Sequence, residues 1–185
     1  MKKIYTGIGS RQTPPDVLAQ MQLIGEVLAK YGWILRSGHA HGADQAFENG
    51  AFRGRGKCEI YLPWEGFNGG TTLISSYIIP DPDTWKIAEK LAAEYHPNWP
   101  ACNSYARKFH TRNVFQVLGR DLQTPSDFVV CWTKGGRRKG GTGQALRIAD
   151  AYGIPIFDLA ICSIDDIAAY INEQLESERE KELTS

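Results

Sequence analysis

The chain has no surplus of either charge: Lys plus Arg and Asp plus Glu number 21 each in 185 residues. That balance argues against a protein that coats nucleic acid by its global charge, and the lack of an acidic tract argues against disorder. Cysteine is sparse. Cys58, Cys102, Cys131 and Cys162 stand far apart with no C-x-x-C pair, and they read as reduced thiols of a cytosolic protein. No apolar run approaches the roughly 18 residues of a membrane span. Met1-Lys2-Lys3 runs into a short strand-like segment rather than a secretory leader. The expected location is therefore the cytoplasm, with no membrane partner. Two nucleotide signatures are missing as well. No Gly-Lys-Ser/Thr occurs and no turn fits G-x-G-x-x-G, which excludes a phosphate-loop ATPase and an ordinary nicotinamide dehydrogenase. No cofactor is expected.

What the sequence does have is glycine, 19 residues of it, several in clusters. Between the clusters, strand-like and helix-like segments alternate. Ile4 to Ile8, Trp33 to Leu35, Glu59 to Leu62, Phe128 to Trp132 and Ile154 to Phe157 are short apolar strands. Thr13 is placed to cap a helix that opens with Pro14 and Pro15 and carries Val17, Met21, Ile24, Leu28 and Tyr31 on one face. Further helices are expected through Gln45 to Phe52, around Trp85 to Tyr95, from Ser104 to Gly119 and from Gln144 to Tyr152. A last one follows a box-like Ser163–Asp166 start, with Ile164, Ile167, Ile171 and Leu175 as its stripe.

This alternation predicts an α/β fold: a Rossmann-like parallel sheet with helices on both faces, in a single domain over residues 1–175. Residues 63–83 break the rhythm as a Gly/Pro-rich insertion, read as a loop or lid carrying Trp64 and Phe67, and residues 176–185 form a charged tail expected to fray.

Three strand-to-helix turns are rich in glycine and small polar residues: Gly7-Ile8-Gly9-Ser10-Arg11, the turn from Ser37 to Asp44, and Gly140-Gly141-Thr142-Gly143-Gln144. In a parallel sheet all three fall at the carboxyl edge, where ligands bind near the switch in strand order. Glycine lets backbone N–H groups come close to a phosphate, and a helix N-terminus adds partial positive charge. The candidate ligand-binding residues are Gly7, Gly9, Ser10, Arg11, Ser37, Gly38, His39, Ala40, Gly42, Ala43, Asp44, Arg112, Asn113, Trp132, Gly140, Gly141, Thr142, Gly143 and Gln144. Arg11 is a phosphate clamp in this reading, and Trp132 a stacking platform for a base. Asp44 and Glu48 are the carboxylates available for catalysis. Arg137-Arg138-Lys139, with Lys134, form a basic cluster that serves either as a flap over phosphates or as a contact to a DNA backbone. His39 and His41 form an H-x-H pair with no cysteine beside it, so no metal site is expected.

The Gly7–Arg11 turn, the Ser37-Gly38-x-Ala40-x-Gly42-Ala43-Asp44 turn with Glu48 downstream, Arg112-Asn113 and Gly140–Ala145 resemble the superfamily that joins the DNA-processing protein A (Smf) and Lonely Guy families. Within it, the sequence resembles the small YspA-like or YpsA-related proteins. The resemblance spans roughly residues 3–157. It implies a Rossmann-like fold, nucleotides or nucleotide-derived signals as ligands, and frequent homodimers. Some relatives cleave the N-glycosidic bond of nucleoside monophosphates, some bind single-stranded DNA, and some are sensory domains of bacterial and phage conflict systems. The Lonely Guy pattern Gly-Gly-x-Gly-Thr-x-x-Glu places its catalytic Glu where this chain has Arg147, and its Thr where this chain has Gln144. An arginine can neither activate water nor stabilise an oxocarbenium-like sugar. The expectation is therefore a sensor or sequestering protein for a nucleotide-derived small molecule. A nucleotide N-glycosidase and a single-stranded DNA binder are the alternatives.

Overall fold

The structure, a computed structural model, describes residues 2–183, with the side chains of residues 178 and 182 outside the description. Six strands form one sheet: β1 (Ile4–Gly7), β2 (Ile34–Ser37), β3 (Cys58–Tyr61), β4 (Tyr77–Ile78), β5 (Phe128–Cys131) and β6 (Ile156–Asp158). The order is β4-β3-β2-β1-β5-β6 and every pairing is parallel. The helices are α1 (Pro15–Lys30), α2 (Ala43–Arg53), α3 (Pro82–Glu94), α4 (Ser104–Leu118), α5 (Gly140–Ala151) and α6 (Ile164–Leu183). The fold is a Rossmann-like α/β domain.

Strand alternation sorts the core into two layers, because successive side chains leave a strand on opposite faces. Tyr5, Leu35, Ile60, Phe128 and Val130 face Val17, Met21, Ile24 and Leu28 of α1, Ala46 and Phe47 of α2, and Ile167 of α6. On the opposite face Ile8, Tyr61, Val129 and Cys131 meet Ala88 and Ala92 of α3, Val114 to Leu118 of α4, and Leu146 and Ile148 of α5. Burial on both faces explains why β5 reads as an unbroken apolar run.

The helix starts use local chemistry. Asp81 accepts from Thr84 N–H at 2.9 Å to cap α3, and Asn103 accepts from Ala106 N–H at 2.9 Å to cap α4. Ser163 and Asp166 cap α6 reciprocally: Ser163 N–H donates to Asp166 Oδ2 at 2.7 Å and Asp166 N–H to Ser163 Oγ at 3.2 Å.

Several boundaries differ from expectation. Thr13 does not cap α1; Pro14 holds the cap position without a side-chain bond, and Thr13 Oγ1 donates to Ser10 O at 2.7 Å instead. The 63–83 segment contains the edge strand β4, two residues long. α5 begins at Gly140 rather than Gln144, and α6 runs through the charged stretch to Leu183. Residues 184–185 of the expected tail lie outside the described residues.

Candidate functional site

In the sheet order, β1 lies between β2 and β5. The chain leaves β1 toward α1 on one face, whereas β5 hands over to α5 on the other. This is the switch point at which a parallel sheet opens a crevice beyond its strand ends. A cleft of about 990 Å³ lies there. One wall is the first turn, Ile8 to Gln12. A second is Trp132 to Gly135 with Arg137, Lys139 and the start of α5 from Gly140 to Thr142. Ala40 and Asp44 come from the second turn, and Ala106, Phe109, His110, Arg112, Asn113 and Gln116 of α4 complete the enclosure.

The turns are tied together by buried polar bonds. Ser37 Oγ donates to Gly7 O at 2.6 Å, joining the first two turns. Arg112 donates to the carbonyl of Gly38, and Asn113 Nδ2 donates to Gly141 O at 3.1 Å. Adjacent residues of α4 thus hold the second turn and the third. Asn113 Oδ1 in turn accepts from Arg112 Nε at 3.2 Å. An Asn within a helix is mildly unfavourable on its own; here its amide satisfies a carbonyl at the helix start opposite.

The third turn offers the anion geometry. Gly143 N–H closes the first helical bond of α5 to Lys139 O at 3.1 Å. The amides of Gly140, Gly141 and Thr142 precede it and have no i−4 carbonyl within the helix. All three residues line the cleft, at the positive end of α5. Arg11, Arg112, Lys134, Arg137 and Lys139 add cationic side chains, and Asp44 is the one carboxylate among the described residues that line the cleft. Trp132 and Phe109 supply aromatic surface; the Arg11 guanidinium lies 5.7 Å from the Phe109 ring centre.

Asp44 sits 3.9 Å from the Arg112 guanidinium, and both are buried. Its Oδ2 also accepts from Ala40 N–H and Gln116 Nε2, each at 3.4 Å. Burial pushes the Asp44 carboxyl above the usual carboxylate range, and Arg112 opposes that rise without cancelling it.

Other expected site residues are placed elsewhere. Glu48 does not line the cleft: its two oxygens accept from Tyr77 OH at 2.5 Å and pair with His39 Nδ1 at 2.7 Å. His39 faces β4 in this group, its Nε2 at 3.3 Å from Asn68 O. His41 stands apart from it, 3.2 Å from Gln45 Oε1. Gly7, Ser37, Gly38, Gly42, Ala43, Gly143 and Gln144 lie behind the lining and shape it. A Cβ at Gly38 would collide with the Arg112 guanidinium, and one at Gly143 with the backbone of Arg138. These two glycines admit protein rather than ligand.

No residue of the 63–83 insertion lines the cleft. Trp64 and Phe67 pack edge-on against Phe109 of α4, with ring centres 5.3 and 5.5 Å away, and brace the wall from outside. The basic cluster divides: Arg137 and Lys139 face the cleft, while Arg138 pairs with Asp150. Arg147 donates through Nε to Tyr95 O at 2.8 Å and so joins α5 to the end of α3.

Sequence reasoning passed over His96, Cys102 and His110. The structure brings their donor atoms within 4.8 Å of one another. Pro97 and Pro100 interrupt this stretch and hide its spacing, and the pattern His-x5-Cys-x7-His was the available signal.

A scan against protein-family models and searches of curated proteins and solved structures found no match. Among the described residues, no helix is long and apolar enough to cross a membrane.

Proposed function

We propose that the cleft binds a nucleotide or nucleotide-derived small molecule by its phosphate and sugar, in a sensing or sequestering role. The observation that carries this reading is the convergence of the α5 N-terminus, Arg11 and Lys139 on one crevice at the β1/β5 switch point. Helix-start amides with no intrahelical partner and exposed cations match a phosphate, and Trp132 is positioned to meet a base. The size of the crevice suits a ligand of nucleotide dimensions. The motif resemblance to the DNA-processing protein A and Lonely Guy superfamily points the same way.

The test is mass spectrometry of small molecules released from the purified protein, followed by calorimetric titration with nucleoside mono-, di- and triphosphates and cyclic nucleotides. One site per chain is expected. A ligand-free preparation together with no heat and no thermal shift across that panel overturns the reading.

A second reading, cleavage at the anomeric carbon, is favoured by Asp44, whose raised carboxyl faces the same cleft. It predicts base release from a bound nucleotide and complete loss of release in Asp44→Asn. Binding of single-stranded DNA draws on Lys134, Arg137 and Lys139, and predicts an affinity that falls steeply across a salt series.

A further inference from the structure

His96, Cys102 and His110 come from three successive pieces of chain: the turn after α3, the approach to α4 and the second turn of α4. Their rings and thiol form one group, with the His96 and His110 ring centres 4.3 Å apart. The His96 ring nitrogens lie 3.6 and 3.7 Å from Cys102 Sγ. Tetrahedral zinc, with bonds of about 2.0–2.1 Å to nitrogen and 2.3 Å to sulfur, holds its donor atoms roughly 3.3–3.6 Å apart. A second observation comes from His110, which is only 9% exposed and whose buried Nδ1 makes no hydrogen bond of good geometry, with the Gln144 side chain beside the ring.

We infer that His96, Cys102 and His110 form a binding site for a zinc-class divalent cation. One thiolate and two imidazoles are a donor set that zinc accepts and that magnesium and calcium do not. Cys102 immediately precedes Asn103, the α4 cap. Arg107 Nε donates to Cys102 O at 3.1 Å and fixes the backbone that presents the sulfur. His96 Nδ1 accepts from Asn98 N–H at 3.1 Å, which orients the ring beside Cys102. Binding releases the Cys102 proton to solvent. Three protein ligands leave a fourth position for water, and His110 also lines the large cleft. The site borders that cleft, and its assignment does not rest on what the cleft binds.

The test uses the full chain, stripped with chelator in a reducing buffer and titrated with Co²⁺ as a spectroscopic probe for zinc. One equivalent is expected to bind, with a sulfur-to-cobalt charge-transfer band and the intense visible bands of a four-coordinate ion, and Zn²⁺ is expected to bleach both. Cys102→Ser removes the charge-transfer band. Cys102→Ser and His96→Ala each weaken the site by about a hundredfold, at least the loss usual for disturbing a ligand's supporting partner. Circular dichroism melts show that the variants remain folded, and His39→Ala/His41→Ala leaves the titration unchanged. Absence of a stoichiometric complex, a charge-transfer band that survives Cys102→Ser, or a site abolished by the His39/His41 variant overturns the assignment. Nucleotide titrations of the same metal-free protein report on the cleft separately.

Discussion

The Asp44 carboxylate and the Arg112 guanidinium lie 3.9 Å apart at the base of the cleft, one on α2 and the other on α4, and both are buried. The pair joins helices from opposite faces of the sheet. Desolvation nevertheless outweighs the attraction at Asp44, whose pKa is raised. In the folded chain this carboxyl holds its proton to a higher pH than in the unfolded chain. The folded state therefore binds more protons above the unfolded-state value, near 3.9 for Asp, and stability falls as pH rises through the folded pKa. Asp44→Asn removes that fall. Urea unfolding from pH 4 to 8 measures it: the wild-type curve carries a decline that the variant lacks, and parallel curves would contradict the assignment.

Arg11 and Lys139 are exposed and line the cleft from opposite walls. Arg11→Ala and Lys139→Ala should each weaken binding of a phosphate-bearing ligand by about ten- to a hundredfold, the equivalent of a lost hydrogen bond between charged groups. The melting temperature should stay within about 2 °C, since surface changes of this kind are within ±0.5 kcal/mol. Calorimetry and thermal melts separate the two effects.

Asn113→Ala deletes the bond to Gly141 O and leaves that carbonyl and Gln144 short of a partner. A loss of about 1–3 kcal/mol in stability is expected. Amide exchange at Gly141 to Gly143 should quicken more than exchange in the β5 strand. Equal change at both places would show that Asn113 does not hold the third turn.

Glu48→Gln keeps the shape but replaces an acceptor that serves Tyr77 OH and His39. Stability should drop by about 1–3 kcal/mol, while affinity for a cleft ligand and any turnover remain. Turnover lost at unchanged affinity would give Glu48 the catalytic part that its position does not.

Gly50 of α2 lies against α1 so closely that a Cβ there would fall onto the backbone of Gln22 and reach Glu26 N within 2.9 Å. Backbone cannot yield as a side-chain tip can. Gly50→Ala should destabilise the chain by about 1–3 kcal/mol or more through forced separation of the helices. Denaturant unfolding reads this directly, and a neutral substitution would mean that α1 and α2 can move apart at little cost.

The main sheet was legible because the apolar residues of β1, β2, β3 and β5 stand out between glycine turns, most clearly in β5, which is buried throughout. β4 was not, since two residues, Tyr77 and Ile78, carry no period and sit among Gly and Pro. The three turns were recognisable from composition, yet composition does not say which glycines face ligand and which admit protein. Gly140 and Gly141 line the cleft, whereas Gly143 makes room for the backbone of Arg138. Glu48 reads in the sequence as a carboxylate available for catalysis; its partners His39 and Tyr77 are 9 and 29 residues away and only the fold brings them in. His96, Cys102 and His110 were obscured for a similar reason, because a proline-broken turn folds back onto α4.

The α4 residues Arg112 and Asn113 grip main-chain oxygens, Gly38 O and Gly141 O, and their side-chain partners in the turns are confined to Asp44 and Gln144. Identity at neighbouring positions such as His41 and Thr142 is thereby uncoupled from the frame. Those positions can drift through evolution, or be randomised in a library, and retune what is recognised while the jaws that present it keep their separation.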